Sequence, residues 1–210
     1  MENQAQRPWL SLYRGVRPEL RPPCETALDM FRATLARNGS APLVHYFERS
    51  LSAAECDAMS DALAVGLQQR GVEVGDRVAV YLQNIPQVVI AVLAIWKCGA
   101  VVVPCNPMLR ERELGKILRS SGCLAMICQE DLYADVGRAA LPATAVRHTI
   151  TTSPLEFLDD GKPLPAMLGG ARRNPQADAT DLLEIVARHR SERPRPVELT
   201  GDDVAFMVHT

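Results

Sequence analysis

Six cysteines, four histidines and one arginine run are the side chains of this 210-residue sequence best suited to chemistry. The cysteines are Cys24, Cys56, Cys98, Cys105, Cys123 and Cys128. No two form a Cys-x-x-Cys pair, and no histidine stands at ligand spacing from a cysteine pair. Structural zinc needs such clustered ligands, so the pattern predicts no metal site. Several thiols lie in apolar stretches such as 124–128, where cysteine acts as a small buried hydrophobe. Reduced thiols of that kind point to a cytoplasmic protein. His45 and His148 fall in strand-like stretches, which predicts hydrogen-bonded structural roles. His189 stands near a helix end, where the helix dipole favours a cation. Arg188, Arg190, Arg193 and Arg195 are balanced by Glu184, Glu192 and Glu198, with no interleaved aromatic residues. They read as a solvated helix end and loop, not as a phosphate or nucleic-acid surface.

Common catalytic signatures are missing. There is no Gly-x-Ser-x-Gly elbow and no Gly-x-Gly-x-x-Gly after a strand. Gly115-Lys116 and Gly161-Lys162 lack the upstream glycine and the hydroxyl residue of a P-loop. Asn38-Gly39-Ser40 fits a glycosylation acceptor, but it also fits a helix-ending turn, and no secretory signal precedes it.

Composition narrows the class. Apolar residues are 47% of the chain and charged residues 23%, which excludes a disordered chain, a collagen-like repeat and a coiled-coil rod. The net charge of −2 gives no reason to expect a nucleic-acid partner. The longest apolar run, 88–96, is too short for a transmembrane segment, which needs ~20 residues.

The elements that would position any site can be read along the chain. Residues 1–24 are rich in Pro and Arg and predict an extended arm lying over the domain, with Trp9 and Tyr13 as anchors. Residues 25–37 carry Leu28, Phe31 and Leu35 on one helical face, stopped by Asn38-Gly39. A strand is expected at 42–47. Ser52 and Glu55 form a capping box that opens a helix ending at Gly71. Strands are expected at 77–82, 100–104, 124–128 and 145–151, with helices at 87–98, 111–121 and 131–140. The helix at 87–98 is apolar on nearly every face, so it should be buried. This alternation predicts an α/β domain over 25–152 with a largely parallel sheet. Residues 153–200 carry six prolines and read as a variable, partly irregular connection holding one helix, 179–189. Residues 201–210 end in a strand at 204–208, with only His209 and Thr210 after it.

Three stretches together resemble the AMP-forming acyl-CoA synthetases of the adenylate-forming superfamily. The first is the run from Gly71 through Gly75-Asp76-Arg77-Val78-Ala79 to Asn84. The second is Lys97-Cys98-Gly99-Ala100 to Val103-Pro104-Cys105-Asn106-Pro107. The third is Arg112-Glu113-Leu114 followed by Ser121-Gly122. The opening, with Trp9, Tyr13 and Asp29-Met30-Phe31, is most similar to long-chain fatty-acid–CoA ligases.

The resemblance implies a flavodoxin-like layer, with which the family's N-terminal domain begins. It implies ligase chemistry: a carboxylate and ATP give an acyl-adenylate, and CoA then takes the acyl group as a thioester. Fatty acid, ATP, Mg²⁺ and CoA are thus implied for the full-length family. In that family the stretch matching 203–210 leads into a Thr-Ser-Gly-Thr-Thr-Gly loop that cradles ATP phosphates, and here only Thr210 of the loop is present. Glycine and hydroxyl residues suit such a loop because backbone donors must approach the phosphates closely. Thr210 is therefore the one nucleotide-binding residue expected, and no catalytic or metal-binding residue is expected among 1–209. The 210 residues are expected to be an inactive N-terminal portion that binds no cofactor, with a complementing C-terminal portion as a possible partner. The competing readings are a non-enzymatic partner-binding module and part of a fatty-acyl–AMP or aryl-acid ligase. Residues 204–208 and the apolar helix at 87–98 are expected to lack covering partners.

Overall fold

A computed structural model describes residues 7–17, 19, 22–158 and 162–209. An antiparallel hairpin of β1 (Pro42–Tyr46) and β2 (Arg49–Ser52) precedes the main sheet. The sheet strands are β3 (Arg77–Tyr81), β4 (Val101–Pro104), β5 (Ala125–Gln129), β6 (His148–Thr152) and β7 (Thr180–Asp181). All pair in parallel, in the order β4-β3-β5-β6-β7. Counted within the sheet, that is the 2-1-3-4-5 order of flavodoxin-like folds.

The helices are α1 (Ala27–Asn38), α2 (Ala53–Gln69), α3 (Pro86–Lys97), α4 (Glu111–Ser121), α5 (Glu130–Leu132), α6 (Arg138–Ala140) and α7 (Leu182–Arg188). Local chemistry sets their starts. Thr26 accepts from the Asp29 amide at α1, and the Ser52–Glu55 capping box opens α2. Pro86 occupies the first turn of α3, where its missing N–H costs nothing. Gly122, at φ 61°, closes α4 in the left-handed region.

Both faces of the sheet are covered. Val78, Val80, Ile127 and Ile150 point to one core, packed by Leu28, Leu63, Leu67, Ile90, Ile95 and Ile185 of α1, α2, α3 and α7. Ala79, Tyr81, Met126 and Cys128 point to the other, packed by Leu114, Leu118 and Tyr133. Alternate residues of one strand are thus buried on opposite faces, which is why these strands read as unbroken apolar runs.

Several expectations need correction. The strand β2 was not expected, because Arg-Ser-Leu-Ser carries only one strongly apolar residue. The helix expected at 131–140 is interrupted by a π-helical turn, Tyr133–Gly137, between α5 and α6. The helix expected from 179 begins at Leu182, because residues 180–181 extend the sheet as β7 and Asp181 caps the helix. Residues 204–208 form only a single parallel bridge, Phe206 to Val102. Trp9 and Tyr13 are no anchors: the 3-10 turn Pro8–Leu12 has no buried residue, and both rings are exposed. The helix α3 does not lack cover, because α2 packs along it and eight of its residues are buried.

Candidate functional site

The chain leaves β3 through α3 on one face and leaves β4 through α4 on the other, so the winding direction changes between β3 and β5. In open α/β sheets ligands bind beyond the carboxyl ends of the strands at such a switch. Two groups of residues occupy or approach that edge.

The first is an ion-paired cluster. Glu130 follows β5, Thr152 ends β6, Asp181 ends β7 and Gln87 lies in the first turn of α3. Arg173 reaches across them. Its Nη2 lies 2.9 Å from Glu130 Oε1, 2.9 Å from Asp181 Oδ2 and 3.3 Å from Glu156 Oε1. The Asn174 amide donates to Glu130 Oε2 at 2.7 Å. Gln87, fully buried, donates from Nε2 to Thr152 Oγ1, the Ser153 carbonyl and Glu156 Oε2. Burial pushes the Glu156 carboxyl above the ordinary glutamate range, against the bonds from Thr152 and Gln87. Oxygens of Glu130, Glu156 and Asp181 lie within 4.8 Å of one another, a spacing that could suit a cation. The Arg173 guanidinium already bridges all three, so the cluster does not fit the Mg²⁺ of a nucleotide site. It acts as a clasp that fixes the 153–181 segment to the sheet.

The second group is the C-terminal segment. Val102 N donates to the Ala205 carbonyl at 3.1 Å, and Met207 N donates to the Val102 carbonyl at 2.9 Å. Trp96 of α3 donates its indole N–H to the same Ala205 carbonyl at 3.1 Å, and its ring meets Phe206 edge-on at 5.3 Å. Upstream, Asp203 Oδ2 accepts from both the amide and the hydroxyl of Thr200, which fixes the turn into the segment. A cleft of about 470 Å³ opens beneath it, between the start of α1 and the amino ends of β3 and β4. Because the bridge is parallel to β4, the backbone runs from there toward the carboxyl edge of the sheet. Thr210, the expected nucleotide-binding residue, lies outside the described residues.

Other sequence candidates are dispersed. His45 bonds Ser50 across the hairpin at 2.7 Å. His189, at the end of α7, bonds Glu192 at 2.9 Å. His148, whose pKa is lowered mainly by burial, begins β6. None shares a site with another. All six cysteines are free, and burial pushes Cys98 and Cys105 up to about 12, so neither is a ready nucleophile. From the arginine run, Arg193 pairs with Asp57 and Asp61 and is not simply solvated. The clasp was not foreseen, since its members are far apart in sequence and no motif links them.

The sequence matches the profile of the AMP-binding enzyme family over residues 31–210. The chain therefore belongs to that family. It is 29% identical to a long-chain-fatty-acid–CoA ligase of Escherichia coli O6:H1, over 96% of this chain and 37% of that protein. It is 35% identical to one from Bacillus subtilis over 62% of the chain. Among solved structures, a long-chain-fatty-acid-CoA ligase from Archaeoglobus fulgidus superposes with a TM-score of 0.71 at 23% identity, covering 94% of this chain and 37% of that one. A benzoate CoA ligase from Burkholderia xenovorans superposes at 0.67 with 18% identity. The fold is the N-terminal α/β layer of adenylate-forming enzymes, and the chain spans just over a third of the length of the Escherichia coli and Archaeoglobus fulgidus ligases.

Proposed function

We propose that these residues are the N-terminal part of a fatty-acid–CoA ligase, and that their task is to frame a phosphate loop that begins at Thr210. The observation that carries this reading is the parallel bridge between Phe206 and Val102, locked by Trp96, which sends residues 207–209 toward the ligand edge of the sheet. In the proposed reaction a carboxylate oxygen attacks the α-phosphorus of ATP, an O–P bond forms, and pyrophosphate leaves. The CoA thiol then displaces AMP from the acyl carbon. Preorganised donors and cations aimed at the developing phosphate charge lower the barrier to such a step. The fatty-acid relatives favour that branch, and the exposed Trp9–Tyr13 opening is compatible with it.

The test is ATP–pyrophosphate exchange by the full-length protein with a panel of carboxylates. Exchange driven by fatty acids and not by benzoate or anthranilate is expected. Exchange driven only by aryl acids would move the chain to that branch, and no exchange with any carboxylate would remove the ligase reading.

A further inference from the structure

Residues 192–200 join α7 to the C-terminal segment and belong to no helix or strand. Such a stretch has no ladder to fix its backbone, so its contacts with neighbouring elements decide where it lies. Pro194 and Pro196 fix two backbone angles and carry no N–H, which leaves the Arg195 amide as the one main-chain donor of 194–196. Gln68 of α2 takes both main-chain polar groups of that residue. Its Oε1 accepts from the Arg195 amide at 2.8 Å, and its Nε2 donates to the Arg195 carbonyl at 3.0 Å. A side-chain amide carries both an acceptor and donors, so Gln68 stands in for the strand that this stretch lacks. Two residues earlier, Arg193 reaches Asp57 Oδ2 at 3.5 Å and also pairs with Asp61. Asp57, Asp61 and Gln68 are spaced by four and then seven residues, so they form one stripe of α2. The other end of the stretch is held by the end of α3. Trp96 donates to the Ala205 carbonyl, while its neighbour Lys97 bonds Asp57 and Asp61. Residues 193 and 205 are thus both tied to the last two residues of α3, and the proline-stiffened strap between them cannot slide without breaking one set of contacts.

We propose that Gln68 and Arg193 are positioning residues for the nucleotide: they hold 193–207 in the one register that presents the phosphate loop beginning at Thr210, and so set the affinity for ATP. This role rests on the ligase reading above. A strap that lifts off its stripe leaves the loop unframed. The apparent affinity for ATP then scales with the fraction of molecules whose strap is in place. The chemical step in molecules that do hold ATP is unaltered.

The experiment compares the full-length parent with Gln68→Leu, Arg193→Gln and a control, Gln69→Leu, whose side chain is exposed and lies off the stripe. Amide hydrogen exchange without substrates reads the strap itself. Gln68→Leu and Arg193→Gln should speed exchange in peptides covering 195–207, and Gln69→Leu should not. ATP–pyrophosphate exchange reads the consequence. Gln68→Leu should raise the KM for ATP on the order of tenfold, from the loss of two hydrogen bonds. Its kcat and its KM for the carboxylate should stay at the parent's values. A merely structural role would lower the amount of folded enzyme, and so kcat, and leave the KM for ATP where it was. Unchanged protection of 195–207 in both variants, or faster amide exchange at an unchanged KM for ATP, would overturn the proposal. A parent that exchanges no pyrophosphate would overturn it together with the ligase reading, and that failure is distinct because it appears in the parent and not in the variants.

Discussion

Lys97 is buried between α2 and α3 and makes one of the strongest demands on the fold. Its Nζ lies 2.7 Å from Asp57 Oδ1, 2.7 Å from Asp61 Oδ1 and 2.8 Å from Ser60 Oγ. Burial lowers its pKa, while Asp57 opposes that shift. A buried pair adds little net energy, but breaking one side strands the other. Lys97→Met should therefore cost about 3 kcal/mol, read as a lower urea midpoint with an unchanged slope. A change under about 0.5 kcal/mol, the scale of an ordinary surface substitution, would show that Arg193 alone neutralises both aspartates. Glu156 gives a pH signature. Its carboxyl is raised by burial, so the folded protein holds this proton more tightly than the unfolded chain does. Its contribution is then fully present below the ordinary glutamate value of 4.5 and is lost as pH rises through the higher folded value. Glu156→Gln should flatten that part of the melting-temperature profile, and an unaltered profile would refute the assignment. The sequence showed these residues but not their meetings, because Gln87, Glu130, Glu156, Arg173 and Asp181 converge only after the sheet has formed.

At the scale of elements, the contact of α2 with α7 hinges on Gly66. A Cβ there would fall inside Ile185 Cγ2. Alanine is favoured over glycine in a helix interior by about 1 kcal/mol, yet Gly66→Ala should destabilise by about 1–3 kcal/mol because overpacking wins. A rise in melting temperature would mean that α7 moves aside freely. Ser52→Ala should cost about 1 kcal/mol by removing the capping box of α2. Elements with strong local signals were legible: the Ser52–Glu55 capping box and the apolar runs of β3 and β4 mark their own boundaries. Those set by tertiary contact were not. The two residues of β7 are too few to show a period, and the π-helical turn leaves no local mark. Residues 204–208 read as a strand by composition, but they gain only one bridge on the outside of β4. Of the candidate site, the clasp offered no motif to read, and Thr210, expected from the resemblance alone, lies outside the described residues.

For the whole molecule, the parallel sheet, its two covered faces and the edge segment form a platform, and the proposed chemistry lies beyond it. Val204, Phe206 and Val208 remain exposed along that edge. Unpaired, apolar sheet edges invite association. The 210-residue chain should therefore bind an apolar dye more strongly than the full-length protein, and equal dye binding would show that the edge is covered in both. The clasp around Arg173 holds the platform together without offering a nucleotide metal site. The most direct measurement is fatty-acid-dependent ATP–pyrophosphate exchange by the pure 210-residue chain, run beside the full-length protein. Exchange by the full-length protein and none by the 210 residues is the expected result. Robust exchange by the 210-residue chain would contradict it, because residues within this platform would then carry the adenylation themselves.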